Sequence, residues 1–412
     1  MKLIRRQRIK DRQQNSENRH QAKDTNRLGS VFCDLGSVST HGGNIYNAAQ
    51  ELGISENEII DFSASINPLG ISGKVKKVIA EEIVNLVNYP DPDAKMLRQF
   101  ISAHLSIKRD SIICGNGSTE LIYLIPRALK PEKVLIASPT FSEYERAIRT
   151  QNTERRAQIK YLSLKEEDKF KVDLDKFIKS MIDEKQILNE AKSLYSDVCV
   201  PGSVNMAFLC NPNNPTGNIL KKVEVLEIAE AAKNSKCFLV VDEAFIDFAP
   251  DDSVVREVQN NPYLIVLRSL TKFYAMAGLR VGYGVFNEAV IESIKEFKEP
   301  WTVNNLAQHS AVAAIGDTQY IKATMDLMRR EKKYLENGFK DIGITFFTSE
   351  ANFYLIKLNP AQDVCNKLKE KGILARDCSN FKGLDRSYIR VAVKSNKENQ
   401  RLIQELSGLC GK

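Results

Sequence analysis

Asn214, Asp242 and Lys272 are residues whose types and spacing could do chemistry together. They lie 28 and 30 residues apart, each at or just past the carboxyl end of a short apolar run. The runs read MAFLCNPNNPTG (206–217), CFLVVDEAFIDF (237–248) and LIVLRSLTKFYAMAGLR (264–280). In a mainly parallel sheet, strand carboxyl ends face the ligand crevice. A lysine there can condense with an aldehyde, and an amide can bond a ring oxygen. A carboxylate ending an aliphatic run needs a cationic partner or must neutralise. The set suits pyridoxal 5′-phosphate (PLP), whose protonated ring nitrogen supplies that partner and makes the ring an electron sink.

Other segments carry groups for the rest of such a cofactor. GNGSTELI (115–122) puts Gly117, Ser118 and Thr119 between a strand and a helix, where backbone N–H groups form an anion site. Ser269 precedes Lys272 by three residues and Arg280 follows it by eight. The blocks resemble those of the fold-type I, aspartate-aminotransferase-like PLP enzymes, in which NPTG, D-x-A-[YF] and S-x-x-K are hallmark segments. That resemblance implies that Ser269 and Arg280 bind the cofactor phosphate and that Phe141, in SPTFSEYERA, stacks on its ring. It further implies that Tyr89, in NYPDPDA, reaches the phosphate from the other subunit of a homodimer. Arg390, inside the otherwise apolar YIRVAV, has the planar fork that suits a substrate carboxylate. The family places its α-carboxylate arginine here; a structural salt bridge is the competing reading.

The elements that must position these residues alternate between helical and strand-like patterns from His41 onward, which predicts an α/β architecture. Helices are expected over 74–87, 94–105, 223–235, 304–315, 317–338 and 363–372. Strands are expected over 112–114, 134–138, 206–210, 238–242, 264–269, 281–286, 351–358 and 388–393. With the resemblance, this gives a large domain (89–300) with a mixed, mainly parallel sheet and a small α+β domain (301–412). Residues 41–88 are expected to pack with the small domain, and 1–40 to form a basic, disordered extension. The stretch 166–203 is charged and carries no clear pattern.

Composition narrows the function classes. A chain of 412 residues, 43% hydrophobic and 27% charged, is ordinary for a globular protein with more than one domain. No apolar run approaches the roughly 20 residues of a membrane helix. Of the net charge of +7, residues 1–28 carry +6, so the remainder is nearly neutral and a nucleic-acid-binding role is disfavoured. The eight cysteines are scattered without C-x-x-C spacing, which fits a reducing cytoplasm better than a disulfide framework. The four histidines are too dispersed for a metal motif.

Within the superfamily, HGGNIYNAAQELGI (41–54) and DFSASINPLG (61–70) closely resemble the start of the L-threonine-O-3-phosphate decarboxylases of cobalamin biosynthesis. DEAFIDF, LRSLTKFYA and CSNFKGLD…YIRVAV fit the same family, and the likeness spans residues 41 to about 407. It implies a phosphorylated amino acid as substrate, decarboxylated to (R)-1-amino-2-propanol O-2-phosphate. It also implies substrate contacts from His41, Gly42, Ser65, Asn214, Arg376 and Arg390. The histidinol-phosphate aminotransferases share NPNNPTG and YPDP but usually carry tyrosine where this chain has Phe245. The decarboxylases usually carry asparagine where this chain has Ser65, which makes O-phosphoserine the competing substrate.

Overall fold

The computed structural model describes residues 41–151, 157–182 and 204–410. The basic extension therefore lies outside the described residues, as does 183–203. A short strand β1 (Ile60–Asp61) comes first. Then follow β2 (Ile112–Asn116), β3 (Lys133–Ser138), β4 (Gln158–Ser163), β5 (Met206–Cys210), β6 (Phe238–Asp242), β7 (Leu264–Ser269) and β8 (Val281–Val285). These seven make one sheet in the order β2-β8-β7-β6-β5-β3-β4. Only β8 runs against its neighbours, so the other six strands present their carboxyl ends on one side.

The sheet forms because its inner strands β3, β5, β6 and β7 are nearly continuous aliphatic runs that are buried on both faces, as parallel strands must be. Side chains alternate across it. Leu239 and Val241 of β6 join the core on one face, and Val240 joins the core on the other. In β7, Leu264 and Val266 alternate in the same way with Ile265 and Leu267. The period continues into the polar ends, sending Asp242 and Ser269 to one face and Arg268 to the other. A second, antiparallel sheet has the order β12-β13-β10-β9. Its strands are β9 (Thr345–Phe346), β10 (Phe353–Lys357), β12 (Arg376–Asp377) and β13 (Tyr388–Ala392). β11 (Ile373–Leu374) pairs in parallel with β1, tying residues 60–61 to the C-terminal third.

Most expected strands stand where the apolar runs predict them. The helix expected over 74–87 is instead an α-helix over Gly73–Glu82 followed by a 3₁₀ segment over Ile83–Val87. Ile83, Val84, Leu86 and Val87 keep the apolar period but point outward, 51–87% exposed. β4 carries no sequence expectation because QIKYLS is an edge strand with three exposed positions. Within the illegible stretch, Leu174–Met181 is helical, started by the Asp173 side chain accepting from the Lys176 N–H at 3.0 Å. No helix among the described residues is long and apolar enough to cross a membrane.

Candidate active site

Asp242 ends β6 and is 3% exposed. Its Oδ2 accepts from the Tyr144 hydroxyl at 2.7 Å, and its Oδ1 from the Ala244 N–H at 3.0 Å. Burial raises its pKa against these two donors, and no cation pairs with it among the described residues. Tyr144 is fully buried, stacked on Phe208 with ring centres 4.9 Å apart, and its phenol is pushed well above the ordinary range by burial. Phe141 packs edge-on against Tyr144 at 5.7 Å. Tyr144 has no place in the sequence expectations. Its position three residues after Phe141, in the first turn of the helix over Glu143–Arg149, is the signal that could have found it.

Lys272 follows β7 in a loop. Its amine is pushed down to about 8, first by burial and then by the Arg390 and Arg280 guanidiniums, with Asp61 opposing. The pairing of Ser269 with Gly282 brings the end of β7 beside the start of the helix over Gly117–Leu129. A Cβ on Gly282 would lie 2.5 Å from the Ser118 nitrogen, and one on Gly117 would lie 2.4 Å from Arg280 Nη2. Gly117 has φ +69°, which a glycine adopts without strain. The corner thus gathers Gly117, Ser118, Ser269 and Arg280, with Thr119 next on the helix. Ser269 shares a 2.8 Å hydrogen bond with Thr271.

A second corner is built on the antiparallel sheet. Arg376 and Arg390 are direct cross-strand partners, each 7% exposed. Arg390 donates to Asn214 Oδ1 and, at 2.8 Å, to the Ser63 carbonyl, while its Nε has no partner. Burial pushes it down to about 10, with Arg376 adding to the shift. Arg376 donates to the Asp377 carbonyl at 2.7 Å and to Asn380 Oδ1 at 2.9 Å. Neither guanidinium pairs with a carboxylate among the described residues, so the salt-bridge reading of Arg390 finds no support. The Arg390 guanidinium lies 5.1 Å from the Phe353 ring centre, and Phe245 meets Phe353 edge-on at 5.0 Å. The phenylalanine after D-E-A is therefore a prop beneath this arginine.

Gly42 and Ser65 adjoin this corner. A Cβ on Gly42 would lie 2.2 Å from the Ser63 carbonyl oxygen, and the Gly43 N–H donates to Ser63 Oγ at 2.8 Å. Ser65 is 2% exposed and its hydroxyl has no partner, although its carbonyl accepts from Asn352 Nδ2 at 3.0 Å. His41 is exposed. Tyr89 is not buried with the others; it is 82% exposed and tilted against Trp301 at 5.0 Å.

These residues fit PLP. A buried carboxylate without a cation matches a protonated ring nitrogen. The glycine-lined helix start with Ser269 and Arg280 matches a phosphate. A lysine of depressed pKa matches an aldehyde.

The comparisons agree with that class. Residues 57–406 match the family model for aminotransferase class I and II, and the chain belongs to that family. More particularly, it is 35% identical over 372 residues to threonine-phosphate decarboxylase of Salmonella typhimurium, covering 89% of this chain and 96% of that one. The solved histidinol-phosphate aminotransferase from Clostridium acetobutylicum superposes with TM-score 0.73 at 32% identity, over 85% of this chain and 98% of that one. L-threonine-O-3-phosphate decarboxylase from Porphyromonas gingivalis gives TM-score 0.70 at 27% identity, over 85% and 99% of the two chains.

Proposed function

We propose that this protein is a PLP-dependent decarboxylase of L-threonine O-3-phosphate, forming (R)-1-amino-2-propanol O-2-phosphate for cobalamin biosynthesis. The observation that carries the substrate class is the buried, cross-strand pair Arg376 and Arg390 without a carboxylate partner among the described residues. Like charges directly opposite on a sheet repel, and buried cations need anions. An amino acid bearing both a carboxylate and a phosphate supplies them.

In this reading Lys272 holds the cofactor, Asp242 faces its ring nitrogen, Asn214 faces its ring oxygen and Phe141 lies on its ring. Gly117, Ser118, Thr119, Ser269 and Arg280 receive its phosphate. Bound there, PLP would supply an electron sink for a bond broken at Cα. Arg390, braced by Asn214 and Ser63, grips the carboxylate. Arg376 takes the phosphate, with Gly42 and Ser65 at that end. Together they fix the rotation about Cα that selects loss of CO₂ over loss of a proton. Lys272, whose amine is pushed down to about 8, returns a proton to Cα. The Tyr144 hydroxyl keeps the Asp242 carboxylate aligned.

The protein acts as a homodimer in the cytoplasm. Ile83, Val84, Leu86, Val87, Tyr89 and Trp301 are exposed and give an apolar surface for a second copy.

The test is a single turnover of the cofactor-loaded protein with O-phosphothreonine and with O-phosphoserine, following CO₂ and cofactor absorbance together. CO₂ release with the starting spectrum restored is expected, faster from O-phosphothreonine. Amino-group transfer to the cofactor without CO₂ would overturn the reading in favour of a histidinol-phosphate aminotransferase.

A further inference from the structure

The loop that carries Lys272 belongs to no strand or helix, so its main chain needs partners from elsewhere. Asn67 supplies two of them. Asn67 is 2% exposed, and its N–H donates to the Lys272 carbonyl at 3.1 Å. Its Nδ2 donates to the Phe273 carbonyl and to Thr324 Oγ1, both at 2.8 Å, while its Oδ1 accepts from the Leu69 N–H at 3.0 Å. Every polar group of the side chain is used. The same segment is gripped elsewhere by its carbonyls. Phe62 accepts from the Ala392 N–H at 2.9 Å, and Ser63 accepts from Arg390 at 2.8 Å. Residues 62–67 thus span from the buried guanidinium on β13 to the backbone of the lysine.

We propose that Asn67 is a positioning residue that fixes the Lys272–Phe273 main chain, and that the 62–67 segment sets the distance between the Lys272 amine and Arg390. This rests on the reading of Lys272 as the reactive lysine. Asn67 touches neither substrate nor cofactor; it acts through the lysine. A loop held at two successive carbonyls keeps the amine in one place between the charged groups that face it, Arg390, Arg280 and Asp61.

Asn67→Ser removes the bonds to Phe273 and Thr324 but keeps a hydroxyl for the turn and adds no charge. A matched comparator is Asn261, also buried, whose Nδ2 donates to the Ala229 carbonyl at 2.8 Å and whose Oδ1 accepts from the Tyr263 N–H at 3.0 Å. The two variants lose the same kind of bond, one at the lysine loop and one away from it. The full-length chain, before loading with cofactor, is treated with trinitrobenzenesulfonate across a pH series, and Lys272 is followed by peptide mass spectrometry.

In Asn67→Ser the half-reaction pH is expected to rise from about 8 toward the ordinary lysine range, as the amine escapes burial. In the loaded enzyme kcat is expected to fall by about 10- to 100-fold, with KM changing much less, the mark of a displaced reacting group. Asn261→Ser is expected to leave the Lys272 titration in place. Equal shifts in both variants, or none in either, would overturn the proposal. Should Asn67→Ser not fold, Thr324→Val removes the hydroxyl that accepts from the Asn67 amide at 2.8 Å; an upward shift there supports the proposal and an unmoved titration overturns it. Failure of the underlying reading looks different: borohydride reduction of the loaded protein would fix the cofactor to a lysine other than Lys272.

Discussion

The corner at Gly117 and the corner at Arg390 both present N–H donors and a guanidinium, yet they are built in opposite ways. The first uses main-chain N–H groups at a helix start, a serine, and one guanidinium that remains partly exposed. Its donors are neutral or solvated, so it stands ready at little cost. The second sets two guanidiniums side by side in the interior with only amide and carbonyl oxygens as partners. Among the described residues it holds two cations without a carboxylate partner. The difference teaches where binding energy should be sensitive: gradual loss at the first corner, steep loss at the second.

Lys272→Ala marks the ceiling against which both corners are judged. Turnover is expected to fall by about 10⁴-fold, the upper end of what a positioned proton-transfer group contributes, measured by CO₂ release. Arg390→Met comes next. A loss of kcat/KM on the order of 10²- to 10³-fold is expected in steady-state kinetics, as for other buried charge contacts. The same variant removes a cation that lowers the Lys272 pKa. Wild-type Lys272 gains free amine as pH rises through about 8, and in Arg390→Met this gain should occur at higher pH. A flat response to Arg390→Met would break the contrast between the corners.

The strand ends were legible because each is local. A run such as FLVVD both makes a buried strand and delivers Asp242 at its end, and GNGST both ends β2 and starts a helix. The second corner is legible only in part. Arg390 stands out inside an apolar run, but its pairing with Arg376 depends on strand register across a 14-residue separation, which composition does not encode. Tyr144 and Asn67 were hidden for a related reason. A tyrosine on a helix and an asparagine in a turn have ordinary local explanations, and their partners Asp242 and Lys272 lie 98 and 205 residues away. The outward-facing 83–87 segment misled because apolar spacing gives the period of a helix but not what covers its face.

Asp242→Asn sharpens the comparison from the cofactor side. It keeps the shape but loses the charge, and leaves one oxygen for the two donors that Asp242 now accepts from, the Tyr144 hydroxyl and the Ala244 N–H. Cofactor affinity is expected to drop by about 10- to 100-fold, matching a charge-assisted hydrogen bond, as read by fluorescence titration. The smallest effect belongs to Ser65→Asn. Its buried hydroxyl has no partner, and a longer amide there is expected to change the preference between O-phosphothreonine and O-phosphoserine by about tenfold, the lower end for one methyl group. The ratio of kcat/KM values for the two substrates measures it.

The pairing of Tyr89 with Trp301 has an optical consequence. Trp301 is the only tryptophan among 412 residues and is 49% exposed, so all indole emission originates at one spot on the apolar surface around residues 83–89. Anything that covers that spot should move the emission to the blue, and a shift that depends on protein concentration would be a direct spectroscopic count of association.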